Sequence, residues 1–222
     1  DVTNSANAKD GIRLCGSSCT VDNVRTYHNG NTGLQISRFT STDTREEWPS
    51  NNLVLNCTSY GNADEGYEDA DGFAAKLTIG EGNTFDGCIA YNNADDGWDL
   101  FAKVETGSIG AVTIQNCVAY GNGYLEDGTD AGNGNGFKMG GVDNKTPGKA
   151  AHLDPLNHKL IGCTAKGNYA NGFDRNNQSG VVTMKNCISD SNKGNNYHWP
   201  LTGKPSALGY KVTFGKAIIE DC

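Results

Sequence analysis

The sequence predicts an all-β protein built as a single-stranded parallel β-helix, a solenoid of stacked coils, and three observations carry that reading. A six-residue pattern recurs as Cys57-Thr-Ser-Tyr-Gly-Asn62, Cys88-Ile-Ala-Tyr-Asn-Asn93, Cys117-Val-Ala-Tyr-Gly-Asn122, Cys163-Thr-Ala-Lys-Gly-Asn168 and Cys187-Ile-Ser-Asp-Ser-Asn192, with Val24 to Asn29 as a sixth copy. A Gly-aromatic step follows most copies, at Gly72-Phe73, Gly97-Trp98, Gly136-Phe137 and Gly172-Phe173. Gly is abundant, at 30 of 222 residues, and the apolar runs are short and β-branched, unlike the long amphipathic stretches of a helical bundle.

Each element follows from the repeat. Short β-rich runs such as Leu53-Val-Leu, Val112-Thr-Ile and Val181-Thr-Met precede the copies, so a unit reads strand, turn, strand, with a period of roughly 24 to 46 residues set by inserted loops. No unit this small buries its own apolar side chains, so the units must stack, which places equivalent residues about 4.8 Å apart on parallel strands. The Cys, the following Ile or Val and the aromatic positions are expected to fill the interior. Asn29, Asn62, Asn93, Asn122, Asn168 and Asn192 are expected to form a polar ladder at the turn, where an amide can bond the backbone of a tight bend and tolerates a left-handed conformation. Residues 1–222 read as one domain, a piece of a longer helix, since neither end carries a recognisable cap.

Eight cysteines invite a disulfide or zinc framework, but five of them occupy the repeat position, where a small buried free thiol fits, and no CxxC pair or Cys/His cluster appears. Cys15 and Cys19 are spaced to pair across a small loop, and Cys222 is unassigned. The repeat is not the short calcium-binding nonapeptide, because its loops vary too much. A net charge of -8 disfavours nucleic acid and anionic membranes, and no apolar run is long enough to span a bilayer. An acidic protein that binds an acidic polymer then needs a bridging cation or placed Lys and Arg. Asn-x-Ser/Thr matches at Asn56, Asn144 and Asn177 carry no weight, and His28, His152, His158 and His198 are scattered with no catalytic role assigned.

Aligned on the Gly-aromatic step, Asp71-Gly-Phe-Ala74 stacks on Asp96-Gly-Trp-Asp99, then on Asn135-Gly-Phe-Lys138, then on Asn171-Gly-Phe-Asp174. Asp71 thus lies over Asp96 and Asp99 beside Lys138, with Asp95 adding a further carboxylate. Four carboxylates on two adjacent coils must either shift their pKa values or hold a cation, and an all-oxygen, flexible donor set favours Ca2+. Lys138 faces the cation as a candidate base. A lysine with a pKa near 10.4 is only about one per cent neutral two pH units lower, so a lysine base predicts an alkaline optimum.

The segments Tyr67 to Lys76, Asn92 to Lys103 and Gly134 to Gly141 resemble polysaccharide lyase family 9, which contains pectate lyases and related rhamnogalacturonan lyases; the similarity runs from about Asn23 to Asn192. The resemblance implies a right-handed β-helix, a calcium site matching Asp71, Asp95, Asp96 and Asp99, and a lysine base matching Lys138. The expected reaction is β-elimination on a 4-linked uronate of pectin, an acidic plant cell-wall polysaccharide. Arg175 and Lys103 are candidate contacts to neighbouring uronates. The protein is expected to be secreted and monomeric. Rhamnogalacturonan cleavage by the same site, a non-catalytic calcium-dependent pectin binder, and a glycoside hydrolase using Asp95 or Asp96 with Asp99 are the competing readings, and loop 123 to 157 is expected to govern substrate choice.

Overall fold

The computed structural model describes all residues except 4–8, 103–105, 141–156, 177, 179, 201, 206–210 and 214–215. Its described strands form three parallel sheets wrapped around one interior, plus a separate two-stranded antiparallel pair. One sheet runs through Ile12–Leu14, Leu34–Ile36, Phe73–Ala75, Trp98–Asp99, Phe137–Lys138, Phe173–Asp174 and Tyr197–His198. The second runs from Thr20–Asp22 to Ala217–Glu220, and the third from Arg25–Tyr27 to Ile188–Asp190. Within each sheet, successive strands come from successive coils, which is the architecture the repeat requires.

The predicted register is observed: Trp98 pairs with Phe73 and Phe137, Phe137 with Phe173, and Phe173 with Tyr197. These rings, buried except for the partly buried Tyr197, stack with centroids 4.8 to 5.5 Å apart, and each such contact contributes about 0.5–1.5 kcal/mol beyond its burial. Glycine precedes the ring because the asparagine ladder comes close there. A Cβ on Gly97 would meet the Gly136 carbonyl oxygen at 2.6 Å and the Asn122 amide nitrogen at 2.9 Å.

The coil turns between the second and third sheets at a single left-handed residue, Asn23, Asn56, Gly87, Asn116, Gly162, Asn186 or Asp221, each immediately before the ladder position. Cys57, Cys88, Cys117, Cys163 and Cys187 are buried free thiols, and Cys15, Cys19 and Cys222 are free as well, so the spacing of Cys15 and Cys19 does not produce a disulfide. Cys222 extends the ladder: its Sγ accepts the Cys187 N–H at 3.4 Å, as Cys117 Sγ accepts the Cys88 N–H at 3.3 Å.

Two details differ from expectation. The Ile or Val after each Cys faces outward, with Ile188 63% exposed and Ile89 at the surface, because strand alternation buries Cys and the residue two positions on, such as Ala90 or Ala119. Tyr27, Tyr60, Tyr91 and Tyr120 likewise stack on the outside. The six-asparagine ladder is continuous, the Nδ2 of each of the first five donating to the next Oδ1 at 2.7 to 3.0 Å. Its left-handed backbone, however, belongs to the preceding residue: His28, Gly61, Asn92, Gly121, Gly167 or Ser191. Of loop 123 to 157, residues 124 to 130 fold as a small hairpin closed by a Tyr124–Asp130 bridge, and 141–156 lie outside the described residues.

Candidate metal centre and active site

The site grows out of the first sheet and the bend before it. Along the outward row of that sheet the register sets Arg13, Gln35, Ala74, Asp99, Lys138, Asp174 and His198 side by side. At the bend two residues before each ring stand Asp71, Asp96, Asn135, Asn171 and Asn195, whose carbonyls accept from Gly33, Gly72, Gly97, Gly136 and Gly172. Asp71, Asp96 and Asp99 each offer a carboxylate oxygen to one point, these atoms lying within 4.8 Å of one another.

The carboxylates are buried and fixed by the backbone. Asp71 Oδ1 accepts the Asp96 N–H at 3.3 Å, and Asp96 Oδ1 accepts the Asn135 N–H at 2.7 Å and its Nδ2 at 2.8 Å. Asp95, also buried, takes the Asn133 N–H on Oδ1 at 3.0 Å and stands beside that group of three. Lys138 Nζ donates to Asp96 Oδ2 at 3.0 Å and lies 3.6 Å from Asp99 Oδ1.

Electrostatics follow from burial. Removal from water pushes Asp71 up to about 7 and Asp95 up to about 10, and raises Asp96, with neighbouring carboxylates adding to each. Burial alone would lower Lys138, but Asp96, Asp99 and Asp95 outweigh it and hold the amine well above 10.5. Lys138 is therefore an ammonium while those carboxylates are uncompensated.

The residues fit a hard divalent cation. All donors are oxygens, and Asp99 Oδ1 is buried without a hydrogen-bond partner. Once ionised, the four carboxylates against the ammoniums of Lys138 and Lys76 leave an excess of two negative charges. Lys138 also lines a cleft of about 360 Å³ together with Asp174, Asn171, Phe101 and Asn133.

Other expected residues fall elsewhere. Arg175 is 3% exposed and spends Nε and Nη2 on the carbonyls of Gln178 and Gly180 at 3.0 and 2.7 Å. That buried, backbone-bracing position stands in place of the surface exposure a substrate contact needs. Lys103 lies outside the described residues, as do His152, Asn144 and Asn177.

Two residues without an assigned role join the site. Lys76 Nζ donates to Asp71 Oδ2 at 2.6 Å and to Asp99 Oδ2 at 3.4 Å, buried among them. Strand parity could have found it: Ala74 pairs with Asp99, and residue 76 shares its face two positions on. His198 Nδ1 lies 2.8 Å from Asp174 Oδ1, two coils beyond Lys138, where the Gly-aromatic alignment would have set it had Asn196-Tyr197 been admitted as a further step.

The chain is similar to known proteins. Residues 1–206 match the model of the family described as Pel9A-like, right handed beta helix region. The chain is 48% identical over 191 residues to a pectate lyase L of Paenibacillus polymyxa (strain SC2), covering 85% of this chain and 40% of that protein. It is 44% identical to a pectate lyase L of Thermoclostridium stercorarium over 88% of this chain and 15% of that protein. Among solved structures, pectate lyase Pel9A superimposes with a TM-score of 0.63 at 37% identity, over 83% of this chain and 40% of that one. A rhamnogalacturonan lyase superimposes with a TM-score of 0.70 at 26% identity, over 98% and 51%. The chain thus spans about half or less of the proteins it matches.

Proposed function

The chain belongs to the Pel9A-like right-handed β-helix family, and from that membership we propose that it is a calcium-dependent polysaccharide lyase that cleaves pectate by β-elimination, with Lys138 as base. The observation that carries the reading is one contact set: Lys138 Nζ sits 3.0 Å from Asp96 and 3.6 Å from Asp99, at the edge of a buried carboxylate group and at the mouth of a cleft.

Calcium held by Asp71, Asp95, Asp96 and Asp99 would supply positive charge for a uronate carboxylate and for the charge that builds on it as the C5 proton leaves. The remaining work falls to the chain. Lys138 takes the proton from C5 as the oxygen at C4 departs, leaving a C4–C5 double bond. It can do so only as a free amine, and the same carboxylates that would hold the cation are those that keep it charged. Offsetting their charge loosens the hold on the proton, so cation loading and base activation are coupled. The backbone bonds to Asp71, Asp95 and Asp96 fix the carboxylates in advance, which limits the reorganisation that loading requires.

A second reading, rhamnogalacturonan cleavage by the same groups, is favoured by the TM-score of 0.70 over 98% of the chain. The 48% identity to a pectate lyase places pectate first. Both readings fit an extracellular protein acting on plant cell walls. The test is ultraviolet-monitored cleavage of polygalacturonate and rhamnogalacturonan, with and without chelator, comparing the native chain with Lys138→Ala. New absorbance from an unsaturated uronide, lost on chelation and in the variant, supports the lyase. Saturated reducing ends that survive chelation would instead indicate a hydrolase, and an intact polymer that still binds would indicate a lectin-like role.

A further inference from the structure

We propose that Lys76 is a resident counter-ion of the cation site, a positioning residue whose fixed charge matches the carboxylate group to a divalent rather than a trivalent ion and keeps the cation-free fold intact. The inference rests on the calcium reading above.

The two lysines of the site are placed differently. Lys138 lines the cleft beside Phe101 and Asp174, within reach of a substrate. Lys76 does not line that cleft; it is 7% exposed and its ammonium bridges Asp71 Oδ2 and Asp99 Oδ2, tying one coil to the next. Its backbone is anchored on both sides, the N–H donating to Ile36 and the carbonyl accepting from Thr78. A buried ammonium bonded to two carboxylates away from the cleft does not serve a substrate there, and its charge must be counted as part of the site.

That charge decides the valence of the guest. With all four carboxylates ionised to receive a cation, and before Lys138 gives up its proton, Asp71, Asp95, Asp96 and Asp99 with Lys76 and Lys138 would carry two net negative charges, the complement of one divalent ion. Without Lys76 the excess becomes three. Electrostatic attraction to any cation then grows, and grows more for a trivalent ion, because the interaction scales with the product of charges. The cation-free protein simultaneously loses the partner of two buried carboxylates, which is costly at such a site.

The experiment compares the native chain, Lys76→Met and Lys76→Arg, titrating Ca2+ and Tb3+ by calorimetry and melting each protein with chelator and with each cation. Lys76→Met should bind Ca2+ at least tenfold more tightly and raise the Tb3+ to Ca2+ affinity ratio at least tenfold, with its chelated Tm falling further than its calcium-loaded Tm. Lys76→Arg, which keeps the charge, should retain the native ratio. A Met variant that folds only when a cation is present supports the proposal; one that fails to fold even with cation overturns it, since the side chain would then be needed for packing. An unchanged ratio in Lys76→Met, or an altered one in Lys76→Arg, also overturns it while leaving the calcium reading standing. A native chain that binds neither cation overturns both.

Discussion

Two polar rows run up this solenoid at the same spacing, and only one of them can be a site. At one corner Asn29, Asn62, Asn93, Asn122, Asn168 and Asn192 bond one to the next, the first five Nδ2 groups each meeting the following Oδ1 and the Asn29 Oδ1 at the head of the row left over. At the other corner the row begins as Asp71 and Asp96 and continues as Asn135, Asn171 and Asn195. The backbone joins in both rows. In the asparagine ladder each N–H donates to the side-chain oxygen one coil later; in the second row, from Asp96 on, it donates to the side-chain oxygen one coil earlier, whether that oxygen belongs to aspartate or asparagine. The difference lies in the second side-chain atom. An amide brings a donor there and closes the ladder, whereas a carboxylate brings another acceptor and leaves it open. Asp71 Oδ2 and Asp96 Oδ2 are the atoms that take Lys76 and Lys138. The site is thus a structural ladder with two amide nitrogens exchanged for oxygen, and the missing donors are supplied by lysines and, in the proposed function, by a cation.

The comparison breaks most visibly if the exchange is undone. Asp96→Asn should lower cleavage by about a thousandfold or more, since it removes a cation oxygen and the principal partner of Lys138, yet the chelated protein should melt no lower than the native one because a buried carboxylate has become a ladder amide. Cleavage rate and Tm in chelator, measured together, check the split. Lys138→Ala should cost about 10²–10⁴-fold in rate, as loss of a general base does, while calcium affinity persists. Loss of calcium binding in that variant would show that the lysine belongs to the cation cage instead.

Making the same exchange at the other corner should only do harm. Asn122→Asp replaces the donor that Asn168 Oδ1 and the Ala90 carbonyl accept from with an unpaired buried oxygen, so a loss of about 3–5 kcal/mol is expected, read as a lower denaturant midpoint that calcium does not restore. A smaller effect should appear in pH. Aspartates in the unfolded chain titrate near 3.8, but folded Asp71 and Asp95 titrate near 7 and 10, so the cation-free folded state holds protons that the unfolded state has released. Stability in chelator is therefore full below about pH 4 and declines as pH rises through 7 towards 10. Calcium at about a hundred times its Kd adds about 2.7 kcal/mol, a Tm gain of roughly 5–10 °C for a chain of this length, larger at pH 9 than at pH 6. Thermal melts across that range, with calcium and with chelator, measure it.

How much of this the residues disclose depends on which side chains reach across coils. The stacking of Asp71 on Asp96 and of Asp99 on Lys138 was legible because a parallel strand transmits register directly from one Gly-aromatic step to the next. Lys76 was legible only by extending that register two residues past Ala74 to the same face, since it stands just past the strand end and its ammonium reaches the site along its stem. Arg175 was misjudged through its adjacency to Asp174: alternate strand residues point oppositely, so an outward Asp174 turns its neighbour inward, where the loop carbonyls of Gln178 and Gly180 hold it. Apolar character misled at Ile89 and Ile188, where hydrophobicity suggested the interior while the parity of the buried Cys and Ala positions already assigned the outside.

The smallest expected effect sharpens the comparison by separating charge from setting. Asn195 ends the described part of the Asp/Asn row and is exposed, donating to Asn171 Oδ1 through its N–H at 2.9 Å and its Nδ2 at 3.2 Å. Asn195→Asp repeats the exchange seen at Asp71 and Asp96, but in water. It forfeits the side-chain bond and keeps the backbone one, and solvent takes the new carboxylate, so stability should change by no more than about 0.5 kcal/mol. No cation should be gained, since a lone hydrated carboxylate lacks the convergent oxygens of Asp96 and Asp99. Equal calcium stoichiometry in the variant and the native chain, with superimposable melts, is the expected result. A second bound calcium would mean that the row itself, and not the burial and convergence at its acidic end, makes the site.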